Sequence, residues 1–161
     1  MAETTMISEC TSPTDVAMLR WAWARETAPE IPEWSADVSF VAEVERWMTA
    51  PHRSVWTAVT FVVAADGTST NAVVGMVCLT EYTRMPSPRT SAAGSWGYLG
   101  HLYVAAEHRG RGIGRDLIEG ALGFADARGY AKVVLSPTTT SVPLYARCGF
   151  TVDNDVMVRH R

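Results

Sequence analysis

The residues His108, Arg109, Gly110, Arg111, Gly112, Ile113, Gly114 and Arg115 constrain this chain more than any other stretch. An apolar run with strand character, residues 98–104, leads into them, and an amphipathic helical pattern follows. A turn of arginine and glycine between strand and helix gathers the unpaired N–H groups of a helix start and several guanidinium groups at one point. Glycine there lets the backbone turn left-handed and approach a ligand closely. Such a point suits an anion, above all a phosphate. Taken alone, the same pattern also describes a plain tight connection, so the rest of the chain has to decide.

With 161 residues, 47% of them hydrophobic, the chain suits one domain over residues 1–161 and leaves no room for a second. A formal charge of −3 speaks against a nucleic-acid partner, although the arginines bunch at 109–115. Cys10, Cys78 and Cys148 are odd in number and far apart, which spells neither a disulfide framework nor a zinc site; no metal is expected. The start, Met1-Ala2-Glu3-Thr4-Thr5, lacks the basic and apolar segments of a signal peptide. No apolar run nears the ~18 residues that would cross a bilayer. The expectation is a cytoplasmic protein with reduced thiols and no membrane partner.

Periodicity orders the elements. Ser12-Pro13-Thr14-Asp15 has the shape of a helix start, and Val16, Leu19 and Trp23 then share a face, predicting a helix to about Thr27. Phe40, Val44, Trp47 and Met48 predict a second, ended by Pro51. Residues 55–65 and 72–82 read as a hairpin around Asp66-Gly67, and residues 96–104 as a third strand. The helix after the glycine turn buries Ile113, Leu117, Ala121, Leu122 and Ala125 and stops at Gly129. A short strand at 131–135, a brief helix at 142–148 closed by Gly149, and two closing strands at 150–152 and 156–159 complete a mixed α/β chain.

Two phosphate-binding signatures fail here. Arg115-Asp116 stands where a Walker loop needs lysine and a hydroxyl residue, and the spacing of Gly110, Gly112 and Gly114 is not that of the dinucleotide fingerprint. A third fits. Arg109-x-x-Gly112-x-Gly114 after Leu102-Tyr103-Val104, followed some thirty residues on by Leu144-Tyr145-Ala146-Arg147-Cys148-Gly149-Phe150, resembles the GNAT superfamily of acyl-CoA-dependent N-acyltransferases. The resemblance covers about residues 55–160 and implies a mixed, mostly antiparallel α/β sheet with splayed central strands flanked by helices.

It also implies roles. The turn formed by Arg109, Gly110, Arg111, Gly112, Ile113, Gly114 and Arg115 corresponds to the clamp on the coenzyme A pyrophosphate, at a helix start where free amides and dipole favour anions. Leu102, Tyr103 and Val104 match the parted strand whose backbone holds the pantetheine arm and polarises the thioester carbonyl. Thr138 stands where relatives often place an asparagine near the cofactor, and Tyr145 where many place the acid for the departing thiolate. Cys148 lacks an activating neighbour in sequence and reads as a small apolar residue.

The base has no such match. The ribosomal-protein alanine acetyltransferases of this superfamily carry a glutamate at about Val133, and Pro143 also departs from their commonest helix. Glu81 and His101 are the candidates, each weighed against a plainer reading as a solvent-facing carboxylate and a hydrogen-bonded core imidazole. The tryptophans at 21, 23, 34 and 47 are candidates to line an acceptor pocket near the loop at 84–95. The resemblance thus implies acetyl transfer from acetyl-CoA to a primary amine, with a small molecule favoured as acceptor. The alternatives are a protein N-terminal or lysine acetyltransferase and a non-catalytic acyl-CoA sensor; a homodimer is admitted and not required.

Overall fold

The computed structural model describes residues 2–89, 94–152 and 157–160. Five strands form one sheet in the order β1-β2-β3-β4-β5: β1 (Ala2–Glu9), β2 (Arg53–Val63), β3 (Ser69–Thr83), β4 (Ser95–Val104) and β5 (Val133–Val134). All neighbours are antiparallel except β4 and β5. Helices α1 (Pro13–Thr27), α2 (Val38–Met48), α3 (Ile113–Ala127) and α4 (Val142–Arg147) flank it, with a short 3₁₀ turn at Ala106–His108.

The start predicted for α1 is present, and α2 has a cap of the same kind. Ser12 Oγ accepts from the Asp15 amide at 3.3 Å ahead of Pro13, and Asp37 Oδ1 accepts from the Phe40 amide at 2.8 Å. Gly129 and Gly149 take φ of 69° and 87° just beyond α3 and α4, the left-handed exit that glycine permits. The sheet separates two apolar layers. On one face Ile113, Leu117, Ile118, Ala121 and Ala125 of α3 pack on Ala58, Val77, Leu79 and Leu99. On the other, Val16, Ala17 and Leu19 of α1 and Val44 of α2 cover Val55, Met76, Cys78 and Tyr103. Ile118, not Leu122, completes the fully buried stripe of α3.

At Gly75 the close approach of α3 to the sheet leaves no space for a side chain. A Cβ there would lie 2.9 Å from the Tyr103 carbonyl oxygen and 3.1 Å from Leu117 Cδ1.

Three points of the sequence reading need correction. β1 was not foreseen, although Thr4, Thr5, Met6 and Ile7 suit a strand; its register places Thr5 beside Thr60 and Ile7 beside Ala58. The closing strands are absent: residues 150–152 and 157–160 form no ladder, and Val156 lies outside the described residues. Val152, Met157 and Val158 are 85%, 99% and 70% exposed, so no burial rewards pairing them. The strand expected at 131–135 is likewise shortened to Val133–Val134. Of the polar loop at 84–95, Ser95 belongs to β4, Arg84 N–H donates to the Gly94 carbonyl at 2.9 Å, and residues 90–93 lie outside the described residues.

Candidate functional site

The site begins where β4 leaves β5. The two parallel strands pair only at Gly97 with Val133 and Tyr98 with Val134, then part. Opposite β3, His101 and Leu102 together face the single residue Val77, because the register shifts between Met76 and Cys78. This bulge puts His101 at φ 55° and bends the strand away from β5. Beyond the bulge the Ala105 amide donates to the Val74 carbonyl at 2.8 Å. By alternation, the N–H group of Val104 points the opposite way, toward the gap.

The gap is a cleft of about 840 Å³ that runs from Leu102, Tyr103 and Val104 past Arg109, Gly110, Gly112, Ile113, Gly114 and Arg115 to Thr138 and Tyr145. Most of the residues singled out from sequence are therefore brought together. Gly110 and Gly112 take φ of 75° and 86°, turning the chain so that α3 starts at Ile113. The first amide of this helix to find a backbone partner is that of Asp116, on the Gly112 carbonyl at 3.1 Å. Among the described residues, none of the amides at 110–115 donates to a backbone acceptor outside α3. They converge at the positive end of the helix dipole.

Each of the three arginines of the turn pairs with a carboxylate of the protein. Arg109 holds both carboxylate oxygens of Glu26, at 2.7 and 2.8 Å, and its Nε donates to the Val104 carbonyl at 2.8 Å. Tyr103 O–H donates to the same Glu26 at 2.9 Å, and Trp23 stacks on the Tyr103 ring at 5.6 Å. The Arg109 guanidinium beside Glu26 holds that carboxyl below its usual range, while burial, then Glu26, pushes the Tyr103 phenol up to about 12. Arg109 thus braces the turn to α1. Arg111 pairs with Glu3 and does not line the cleft; Arg115, which does, pairs with Glu119 at 2.6 Å.

Tyr145 lies on α4, half-buried, its ring edge-on to Phe150 at 5.8 Å. Burial raises its pKa, so the phenol keeps its proton through the neutral range. Thr138 shapes the turn before α4: its hydroxyl donates to Ser141 Oγ at 2.9 Å, and Ser141 Oγ donates back to the Thr138 carbonyl. Cys148 remains a partly buried thiol whose pKa burial raises, and Cys78 is buried with its pKa pushed up to about 12, also by burial. Neither has thiolate character. Among the described residues no cluster of metal-ligating side chains is found, and no helix is long and apolar enough to cross a membrane.

A second cavity of about 290 Å³ lies between α1, α2 and the sheet, and His101 borders both spaces. Enclosure, then the guanidinium groups of Arg20 and Arg53, lowers the His101 pKa below its usual value. Its imidazole is therefore neutral at neutral pH, edge-on to Trp47 at 5.6 Å. Of the four tryptophans, Trp47 lines this cavity and Trp23 the larger cleft, whereas Trp21 packs on Trp34 and Phe40. Glu81, the other candidate base, borders neither space. Tyr130 O–H at 2.6 Å, Arg128 Nε at 3.1 Å and Ser95 Oγ at 3.1 Å all donate to it, and these hydrogen bonds hold its carboxyl below the usual range.

Sequence reasoning missed Glu26, Arg20 and Glu43. Glu26 meets its partners across 77 and 83 residues of chain, a separation that leaves no local pattern. Arg20 and Glu43 sit on α1 and α2 beside apolar residues, and only their helical phase relative to Val16 and Phe40 hinted at a shared cavity.

Known proteins share this fold. In the solved structures, an acetyltransferase from Trypanosoma brucei superposes with a TM-score of 0.70 at 18% identity, covering 98% of this chain and 100% of that one. A predicted acetyltransferase from Clostridium acetobutylicum, solved with acetyl-CoA, gives 0.67 at 14% identity over 98% of this chain and 96% of its own. These likenesses establish the fold. Among curated proteins, N-acetyltransferase 8F1 of Rattus norvegicus is 33% identical over 113 residues, 68% of this chain and 45% of that protein. Streptothricin acetyltransferase of Escherichia coli is 42% identical over 55 residues, 32% of each chain. The chain thus spans less than half the length of these curated relatives. The profile of the acetyltransferase (GNAT) family matches residues 15–150, through both the glycine turn and the tyrosine helix, and on that match the chain belongs to the GNAT acetyltransferase family.

Proposed function

We propose that this chain transfers the acetyl group of acetyl-CoA to a primary amine of a small molecule, by direct attack with both substrates bound. One observation carries the reading: the amides at 110–115, the parted edge of β4 and the phenol of Tyr145 meet in a single cleft, and His101 borders both this cleft and a second cavity. Acetyl-CoA supplies an activated thioester. The turn at 110–115 and the start of α3 hold its pyrophosphate, with Gly110 and Gly112 leaving that approach clear.

The remaining steps fall to side chains and backbone of this protein. The N–H group of Val104 faces the gap, where a carbonyl oxygen gains negative charge as the amine attacks. His101, neutral and at the junction, takes the proton the amine must lose. As the new C–N bond forms and the C–S bond breaks, Tyr145 donates its proton to the leaving sulfur. Glu81 has no part in this scheme. The modest 290 Å³ volume of the second cavity supports a small acceptor over a long peptide groove.

Calorimetry with acetyl-CoA tests the cleft, and thiol release across an amine panel tests the transfer. Gly112→Val is the matched control: valine at φ 86° strains the turn while the added side chain meets nothing within 4 Å, so the fold should persist in circular dichroism and acetyl-CoA binding should vanish. No heat with the wild-type chain, or normal binding by Gly112→Val, overturns the reading.

A further inference from the structure

We propose that the smaller cavity takes a primary amine that carries a carboxylate beside an apolar body, an amino-acid-like acceptor, and that Arg20 is the residue that holds the carboxylate. The proposal rests on the acetyl-transfer reading above and names the acceptor class for that same site. The walls are apolar through Val16, Phe40, Val44, Trp47 and Met76. Beside the Cys78 thiol, which burial keeps protonated, three polar ionisable groups break this surface: Arg20, Glu43 and His101.

Arg20 is the unusual one. The ion pairs found among the described residues engage Arg109, Arg111, Arg115 and Arg128, and none engages Arg20. Its guanidinium instead lies 4.8 Å over the ring of Trp23, which stacks on Tyr103, which in turn faces Arg109 at 5.7 Å. A guanidinium held by a ring, its N–H fork engaged by no ion pair among the described residues, is prepared for the planar two-point grip of a carboxylate.

Its position selects what surrounds that carboxylate. Trp23 lines the cofactor cleft while Arg20 lines the smaller cavity, so the guanidinium sits at the partition between them, on the side His101 also borders. An acid group gripped there keeps an amine one carbon away at the junction where transfer occurs. The rest of the molecule is left to the apolar wall of Phe40, Val44 and Trp47. Glu43 in the same space favours the incoming ammonium and opposes a doubly charged phosphate, which selects a carboxylate as the anion. An amine at the start of a peptide lacks an adjacent carboxylate and would leave Arg20 unpaired.

The test compares phenylalanine with phenylalaninamide as acceptors, following thiol release from acetyl-CoA. The ratio of their kcat/KM values in the wild type, divided by the same ratio in Arg20→Gln, removes the intrinsic difference between the two amines. That quotient should be about 10 to 100, the range for a charge-assisted pair, and Arg20→Lys should recover part of the preference. In the wild type, N-acetylphenylalanine should compete with the amine and N-acetylphenethylamine should not, which needs no variant to fold. A quotient near one, equal competition by both products, or faster turnover of peptide amines than of amino acids overturns the proposal while acetyl-CoA binding keeps the transfer reading intact. Absence of acetyl-CoA binding removes both.

Discussion

Tyr145 and His101 reach the same cleft by different local routes. Tyr145 is carried by a six-residue helix and His101 by a bulge that forces a non-glycine residue to φ 55°. Burial holds the phenol protonated, so Tyr145→Phe should lower kcat by about 100-fold, the lower bound for a lost proton donor, with acetyl-CoA affinity in calorimetry changed less than twofold. His101 works in the opposite sense. Its pKa lies below the ordinary 6.5, so the base form is complete at neutral pH and is lost as pH falls through the depressed value. The expected kcat/KM profile has an acid limb below pH 6.5 that disappears in His101→Asn, a residue that tolerates the left-handed backbone. Tyr145 was legible because a local motif encloses it. That His101 borders the cleft and Glu81 does not was not legible, because alternation along a strand names a face and says nothing of a bulge or of which donors wait on the other side.

Among the elements, α3 was the most legible and the chain after α4 the least. Period and capping write α3 into the sequence, from Gly112 at its start to Gly129 beyond its end. Its stripe is also the thickest part of the core, with Leu117 and Ile118 fully buried and Leu117 within reach of the backbone at Gly75. Leu117→Ala should therefore cost about 2 to 5 kcal/mol in chemical denaturation, with the linear slope unchanged. The strands expected near the C-terminus had turn residues and β-branched residues in the right order but no neighbour to cover them, and composition alone cannot supply one. β1 shows the reverse error. Its alternation is weak, and pairing with β2 through eight register positions, not its own pattern, makes it a strand.

At the scale of the whole molecule, α1 is shared between the two cavities. Val16 and Arg20 border the smaller one; one to two turns on, Trp23 stacks on Tyr103 and Glu26 grips Arg109 at the turn proposed to hold the pyrophosphate. A ligand that stills either end of this helix lowers the ordering cost for a ligand at the other. Acetyl-CoA should then bind more tightly when an acceptor analogue is present, and by reciprocity the analogue more tightly when acetyl-CoA is present, each by the same factor of about five or more in calorimetry. Glu26→Gln, which loosens the far end of the helix and keeps its near end, should shrink that factor toward one. The two binding reactions are then halves of one thermodynamic cycle, and a survey of acceptors made without the coenzyme would understate every affinity it recorded.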